Sequence, residues 1–243
     1  MYQVKKATFW VMTVLCTLSF VLGGCSMATA PDTKKEAARE LEEELKKNAQ
    51  ELEEQQGYGK KETGDDKDDD MKNTEATDTF SEDDNPGTSV SSVTAIGDSV
   101  MLGAALAIKE ILPDCIIDAK ESRQVSQAAD VADVLESQGE LGNTVIISLG
   151  TNGPFSESSG QDLIDRLGAE RTIYWITAYG EHLTWQEDSN KMIYRLAEEN
   201  DNVQIIDWAQ NASGHSEWFY EDGIHLNLEG QEAYATLIAD SIL

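Results

Sequence analysis

Residues 92–243 alternate between short apolar runs and longer stretches in which apolar positions recur at helical spacing. Short apolar strands that alternate with helices are typical of a parallel sheet covered on both faces. With right-handed crossovers, this pattern predicts an α/β fold, a three-layer α/β/α sandwich with a five-stranded parallel, flavodoxin-like sheet. The predicted strands are 92–97, 115–119, 144–149, 172–178 and 203–207, and the predicted helices are 100–112, 124–138, 158–167, 185–200 and 228–242.

The N-terminus has a different pattern, in which Lys5 and Lys6 precede a long apolar stretch over 7–22. A positive start, an apolar middle and small residues before the cut are typical of a secretory signal peptide, here over 1–24. Cys25 follows Gly23-Gly24 directly, which resembles the lipobox of bacterial lipoproteins. That resemblance implies cleavage before Cys25, a lipid on its sulfur and an extracytoplasmic location at the cell membrane. An uncleaved transmembrane anchor is the alternative.

Residues 25–91 predict an acidic tether between the membrane and the domain. Glu and Lys stand three or four residues apart over 32–56, which favours an exposed helix. Residues 57–91 carry many acidic and small polar side chains and almost no large apolar ones, so they are predicted to be disordered. Their DDKDDD run lacks the glycine and distant glutamate of an EF-hand, which favours a solvated linker over a calcium site.

Charge and cysteine content narrow the possible functions. The net charge is −28, and residues 92–243 hold 26 acidic and seven basic side chains. This balance argues against a nucleic-acid partner, because such binding depends on neutralising phosphates. Cys115 lies in an apolar run and is predicted to be a buried small hydrophobe. The three histidines do not have the spacing of metal ligands, so neither a metal nor a cofactor is predicted.

Polar residues that can carry chemistry follow two of the predicted strands and precede the last helix. Ser99 follows the first strand, Asn152 follows the third, and Asp222 and His225 come just before residue 228. A serine hydroxyl needs a neighbouring base to act as a nucleophile, and an imidazole oriented by a carboxylate provides one. The Ser99 N–H, the Asn152 amide and a backbone N–H of the second loop are candidate donors to an oxyanion.

Each motif alone also has a purely structural interpretation. The Ser99 hydroxyl is a good helix N-cap, the GTNG segment over 150–153 is a plausible turn, and DGIH over 222–225 suits a surface turn. Their joint occurrence in this order, each beside a strand end or the last helix, is much more specific than any one of them.

Residues 92–243 resemble the SGNH (GDSL-type) hydrolases through GDS at 97–99, GTNG at 150–153 and DGIH at 222–225. The stretches TAIGDSVMLGA, DAKESRQ, ISLGTNGPF and WFYEDGIHLNLEGQEAYATLI are closer still to the extracellular domains of peptidoglycan O-acetyltransferases. The resemblance implies a Ser99–His225–Asp222 triad, an acyl-enzyme on Ser99, and Asn152 as an oxyanion donor.

The sequence departs from that family at three points. Ser122 stands where the family usually has a glycine whose N–H points into the oxyanion hole, so the Ser122 N–H is expected to donate there only if its backbone tolerates a Cβ. Residues 180–185 lack the Pro-Arg-Pro-Trp-like stretch of the transferases. In those transferases the extracellular domain usually follows a multi-pass membrane domain that transfers the acyl group, whereas this chain has a predicted lipid anchor and tether. As a transferase it would need a separate acyl-donor protein.

These observations predict a membrane-anchored extracytoplasmic serine esterase or O-acyltransferase that acts on O-acyl esters of cell-envelope carbohydrate. The sequence leaves hydrolysis and transfer open, because they differ in how well the site excludes water and binds an acceptor. The alternative from another class is a non-catalytic lipoprotein that binds the cell wall or a partner through the same scaffold.

Overall fold

The computed structural model describes residues 31–56 and 92–243. The predicted signal peptide (1–24), the predicted lipid site at Cys25 and the predicted disordered segment (57–91) lie outside the described residues. Within the part that is described, no helix is both long enough and apolar enough to cross a membrane.

Five strands form one sheet in which every neighbouring pair is parallel. They are β1 (Val93–Gly97), β2 (Ile116–Ala119), β3 (Thr144–Ser148), β4 (Thr172–Ile176) and β5 (Val203–Ile206). Their order is β2-β1-β3-β4-β5, the flavodoxin-like order that the sequence predicted. The order reverses between β1 and β3, and such a switch point opens a crevice beyond the carboxyl ends of the strands. The structure therefore confirms the predicted fold class.

Helices cover both faces of this sheet and account for most of the remaining chain. They are α1 (Pro31–Gln56), α2 (Ser99–Ile111), α3 (Ala128–Gln138), α4 (Glu157–Leu167), α5 (Gln186–Glu199), α6 (Trp208–Ala212) and α7 (Leu228–Ile242). The helix predicted from residue 124 begins instead with a 3-10 turn, Val125–Gln127, and the short α6 was not predicted.

Two apolar clusters fill the space between the helices and the two faces of the sheet. One contains Met101 and Ile108 of α2 with Tyr234 of α7, and the other contains Leu135 of α3 with Leu163 of α4. All five residues of β3 are buried, as expected for a central strand covered on both sides. Cys115 is only 1% exposed in the first cluster, which confirms the prediction of a buried thiol.

Helix α1 corrects the expectation of an exposed helix in the tether. Leu45 and Leu52 are 4% and 5% exposed and belong to the same apolar cluster as α2. Asn48 is buried with them, and its Nδ2 donates to the carbonyl oxygens of Leu102 and Gly103 at 3.1 and 2.8 Å. Residues 45, 48 and 52 recur every three or four positions, so they form one stripe along the helix and can be buried together.

The C-terminal end of α1 covers the open edge of the sheet at β2. The side-chain amide of Gln56 donates to the Ile117 carbonyl at 3.0 Å and accepts from the Ile117 N–H at 2.6 Å. Gln56 therefore makes the two hydrogen bonds that another strand would make, which protects an edge otherwise open to pairing.

Candidate active site

Ser99 is the first residue of α2, immediately beyond the turn that ends β1. Asp98 is the N-cap of this helix, since its Oδ1 accepts the Val100 N–H at 3.0 Å. A Cβ at Gly97 would overlap the side chain of Met101, so the turn requires glycine there. Because Asp98 caps the helix, the Ser99 hydroxyl does not, and the structural interpretation of Ser99 as the cap is wrong.

The Ser99 hydroxyl instead pairs with His225. His225 Nε2 lies 3.0 Å from Ser99 Oγ, and His225 Nδ1 lies 2.7 Å from Asp222 Oδ2. The other oxygen of Asp222 accepts the backbone N–H groups of Ile224 and His225, both at 2.9 Å. The structure thus brings together the three side chains proposed from the sequence, in the order nucleophile, base, orienting carboxylate.

The environment of Asp222 favours its ionised form. Partial burial raises its pKa, but the hydrogen bonds from the His225 ring and from the Ile224 and His225 N–H groups together outweigh burial and lower the pKa below its usual value. At neutral pH the carboxylate therefore carries the charge that stabilises an imidazolium beside it.

Backbone contacts, rather than a helix or strand, shape the loop that presents His225. The Tyr220 N–H donates to the His225 carbonyl at 2.8 Å, and the Gly223 N–H donates to the Tyr220 carbonyl at 2.9 Å. Gly223 has a φ of +68°, in the left-handed region that favours glycine. Asn227 then caps α7 by accepting the Gly230 N–H at 3.2 Å. This tight turn puts Asp222 and His225 on the same side.

Asn152 and Ser122 line the same cavity as Ser99 and His225, which has a volume of about 230 Å³. The Asn152 Nδ2 donates to Asp98 Oδ2 at 3.1 Å and, more weakly, to the Arg123 carbonyl at 3.4 Å. The three proposed oxyanion residues are therefore near one another.

Ser122 is the one non-glycine with positive φ among the described residues, at +59°. Its backbone thus has the left-handed conformation that a glycine adopts most easily, and glycine is the residue that the resembled family usually has at this position. The Ser122 N–H donates to no oxygen within 31–56 or 92–243. The Ser99 N–H likewise has no acceptor one turn earlier, because it begins the helix.

No sequence pattern marks Asp98 as part of the site, although it is the middle residue of the GDS motif. Its carboxyl is fully buried, and burial raises its pKa to about 6 from an ordinary 3.8. Hydrogen bonds from the Val100 N–H and the Asn152 amide, and the nearby His225, act in the opposite direction. Asp98 links the helix that carries Ser99 to the amide of Asn152.

Arg123 was also missed, because an arginine in a polar loop has no distinguishing sequence signal. It is only 7% exposed. Its guanidinium donates to the carbonyl oxygens of Gly97 and Asp118 at 3.1 and 2.5 Å, and to Asp118 Oδ1 at 2.5 Å. Arg123 thereby ties the loop that carries Ser122 to the ends of β1 and β2.

Helix α1 contributes part of the cavity wall, which the sequence did not predict. Ala38, Leu41, Glu42 and Leu45 line the same cavity as Ser99. Beside it, a second cavity of about 300 Å³ is lined by Lys34, Ala37, Ala38, Leu41, Tyr220, Glu221 and Asp222. Across residues 31–56 and 92–243, no group of three or more His, Cys, Asp or Glu side chains is arranged to hold a metal ion.

Comparison with known proteins shows similarity to acyl-transferring enzymes. No protein-family model matches the chain. It is 37% identical over 153 residues to the peptidoglycan O-acetyltransferase OatA of Listeria monocytogenes, a match that covers 63% of this chain and 24% of that protein. It is 34% identical over 156 residues to the O-acetyltransferase OatA of Staphylococcus aureus, which covers 63% of this chain and 25% of that protein. The matches therefore span about a quarter of the length of these relatives.

A solved structure is similar as well, namely the C-terminal catalytic domain of Streptococcus pneumoniae peptidoglycan O-acetyltransferase A with a methylsulfonyl adduct. It has a TM-score of 0.57 and 26% identity, and the match covers 62% of this chain and 92% of that one. The structure of a putative SGNH hydrolase from Slackia heliotrinireducens is also similar, with a TM-score of 0.51 and 14% identity. This match covers 63% of this chain and 98% of that one, and at such low identity it shows only a shared fold. The chain has the SGNH hydrolase fold and is homologous to the OatA peptidoglycan O-acetyltransferase C-terminal domain, which supports an enzyme of the acyl-esterase or acyltransferase class.

Proposed function

We propose that this protein is a membrane-anchored, extracytoplasmic serine esterase or O-acyltransferase that acts on O-acyl esters of cell-envelope carbohydrate. The observation that carries the proposal is the hydrogen-bonded chain from Ser99 through His225 to Asp222, with distances of 3.0 and 2.7 Å. The homology to peptidoglycan O-acetyltransferases supports the choice of a carbohydrate ester as substrate.

In the first step, Ser99 Oγ attacks the carbonyl carbon of the ester while His225 Nε2 takes the hydroxyl proton. The imidazolium that results is stabilised by Asp222, which also holds the ring in the tautomer that leaves Nε2 free to accept. The low pKa of Asp222 suits this role, because the carboxylate stays charged throughout the reaction.

The negative charge that develops on the carbonyl oxygen needs donors that are already in place. The N–H groups of Ser99 and Ser122 are two such donors in our proposal. Asn152 Nδ2 has two hydrogens. Asp98 accepts one at 3.1 Å, and the weak 3.4 Å contact with the Arg123 carbonyl leaves the other available for the oxyanion.

The tetrahedral intermediate then collapses. Its bond to the leaving oxygen breaks, His225 gives its proton to that oxygen, and the acyl group remains on Ser99 as an ester. In the second half, His225 removes a proton from water or from a sugar hydroxyl, which attacks the acyl-enzyme. The bond to Ser99 Oγ then breaks, and His225 returns the proton to that oxygen. Water gives hydrolysis and a sugar hydroxyl gives transfer.

The location of the enzyme belongs to the same proposal. A diacylglycerol attached to the Cys25 sulfur would hold the chain at the outer surface of the membrane, because its two acyl chains anchor stably where one does not. Residues 57–91 would then connect α1, which packs on the catalytic domain, to β1 of that domain. A transferase reaction would also require a separate protein that supplies the acyl donor.

The test uses the full chain, purified in detergent, with 4-nitrophenyl acetate as substrate. Nitrophenol release and the intact mass of the protein are followed for the wild type, for Ser99→Ala and for the control Ser137→Ala, whose serine is exposed on α3. We expect turnover and one acetyl adduct in the wild type and the control, and neither in Ser99→Ala. Folded wild-type protein with no release and no adduct would contradict the proposal.

If turnover is found, oligosaccharide acceptors distinguish hydrolysis from transfer. Acetylated oligosaccharide, detected by mass, indicates transfer, whereas acetate release at an unchanged rate indicates hydrolysis. Either result keeps the acyl-enzyme on Ser99, which both reactions share.

A further inference from the structure

We propose that α1 is one wall of the active site and that Leu41 is a specificity-determining residue in it. The proposal rests on the proposed role of Ser99 as a nucleophile. The proposal goes beyond that function because it gives α1 a part in substrate selection. Helix α1 precedes residues 92–243, and its sequence is typical of a tether.

The cavity beside Ser99 has two chemically different sides. Ser99, Asn152 and His225 provide one polar side, whereas α1 provides the apolar side chains of Ala38, Leu41 and Leu45, with the acidic Glu42 beside them. Apolar side chains favour contact with the carbon atoms of a bound group and exclude water from it. A substrate attacked by Ser99 would therefore be bounded by α1.

The position of α1 is fixed by contacts in the part of the helix that follows this wall segment. Leu52 is buried in the apolar cluster, and Asn48 donates to two carbonyl oxygens of α2. Gln56 makes two hydrogen bonds to the backbone of Ile117. Because these contacts satisfy buried polar groups and bury apolar area, α1 is a fixed wall.

A further contact couples α1 to the loop that carries His225. Glu44 Oε2 accepts the Tyr220 hydroxyl at 2.5 Å, and Glu44 Oε1 accepts the Gln231 side-chain amide at 2.7 Å. Gln231 also donates to the Leu226 carbonyl at 3.0 Å. Glu44 thus connects residues on both sides of the His225 loop, and this fixes the distance between the wall and the proposed base.

Leu41 is the position in the wall at which a change of size has the clearest consequence. It lies between the cavity beside Ser99 and the second cavity beside Tyr220, and it lines both. Removing its branched end widens the site from the α1 side without touching Ser99 or His225. Ala38 also lines both cavities, so a large side chain there is expected to narrow the site.

The experiment compares two sulfonyl fluorides of different size, methanesulfonyl fluoride and phenylmethanesulfonyl fluoride, on the full chain. With either reagent, Ser99 Oγ forms a bond to sulfur, fluoride leaves, and the serine proton passes to His225. The rate constant of each modification is measured by intact mass, and the ratio of the large to the small reagent reports the space beside Ser99. The variants are Leu41→Ala, Ala38→Phe and a control, Leu106→Ala, which alters a groove between α1 and α2 away from Ser99.

We expect Leu41→Ala to raise the ratio several-fold, Ala38→Phe to lower it several-fold, and Leu106→Ala to leave it unchanged. Ala38→Phe removes no core atoms, so it keeps the test valid if Leu41→Ala is unstable. If the wild type is labelled at Ser99 but both α1 variants have the wild-type ratio, α1 is not a wall of the site. The proposed nucleophile would be unaffected by that result. Folded wild type that neither reagent labels at Ser99 would overturn the proposed function and the wall together.

Discussion

The side of the site that holds Ser99 and the side that holds His225 are built in different ways. Ser99 lies where a buried strand meets a buried helix, and the adjacent Asp98 is fully buried. The Asp222 and His225 side chains are 39% and 22% exposed and lie on a loop whose shape depends on hydrogen bonds. The sheet thus fixes the proposed nucleophile, whereas a few polar contacts fix the proposed base. The two sides should therefore respond differently to substitution.

The largest effect should come from the exposed side, at Asp222. Asp222→Asn keeps the size of the side chain but allows its amide to donate to His225 Nδ1, which favours the wrong tautomer. We expect kcat for 4-nitrophenyl acetate to fall by roughly 10³–10⁴-fold, with little change in unfolding temperature. A loss below tenfold would indicate that Asp222 does not orient the base.

On the buried side, Asp98 should affect stability in a pH-dependent way. Because its folded pKa is raised to about 6, the folded state keeps a proton that the unfolded chain releases from 3.8 upward. The stabilising contribution of the protonated form is thus complete at low pH and is lost as the pH rises through 6.

The measurement compares the free energy of unfolding of wild type and Asp98→Asn by urea titration between pH 7 and pH 4. The wild type should gain about 2 kcal/mol relative to the variant over this range, because a pKa difference of about two units is worth 1.36 kcal/mol per unit and the unfolded carboxyl is still partly ionised at pH 4. Groups that do not interact with Asp98 cancel in the difference. A difference that stays constant with pH would show that Asp98 is not buried as a charge at pH 7.

A smaller effect is expected at Glu44, which links α1 to the His225 loop. Glu44→Ala removes the acceptor for Tyr220 and Gln231, so the base should shift slightly. We expect kcat to fall by about tenfold with KM nearly unchanged, because small displacements of reacting groups are costly. Glu44→Gln should restore part of the rate, since its oxygen still accepts one bond.

Glu43→Ala is the matched control for Glu44, because Glu43 is exposed and forms an ion pair with Arg39 one turn earlier in the same helix. It should leave kcat unchanged. Equal effects of the two substitutions on kcat would contradict a specific link from α1 to the loop.

The smallest effect concerns Ser122 and should be a gain. Ser122→Gly relieves a left-handed backbone that costs a non-glycine residue about 1–2 kcal/mol, and the extra freedom of glycine in the unfolded chain offsets part of this. We expect a gain of about 0.5 kcal/mol in unfolding free energy with the turnover rate retained, because the proposed donor is the backbone N–H. A large loss of turnover would show that the hydroxyl matters.

The sheet and the residues at its carboxyl edge were predictable because their signals are local. Strand β1 was predicted to within one residue, since VTAIG is apolar between a serine and an aspartate. The proximity of Ser99 to Asn152 followed from the parallel arrangement, which brings strand ends to one edge.

Other parts of the site depend on contacts that no local pattern encodes. Leu45, Asn48 and Leu52 give α1 a stripe, but the stripe alone does not tell which surface it covers. The contact between Glu44 and Tyr220 joins residues 176 positions apart. The sequence of the GDS motif does not show that Asp98 is buried. Its burial depends on α2 and Asn152, which surround it only in the folded protein.

Ser99 and His225 are proposed to act as one unit, although one is fixed by the core and the other by a loop. The most direct test measures turnover of 4-nitrophenyl acetate by wild type, Ser99→Ala, His225→Ala and the double variant. We predict that the double variant is no slower than either single variant, because each single change already removes the whole nucleophilic pathway. Rate losses that multiply in the double variant would show that the two residues act independently and would contradict the account.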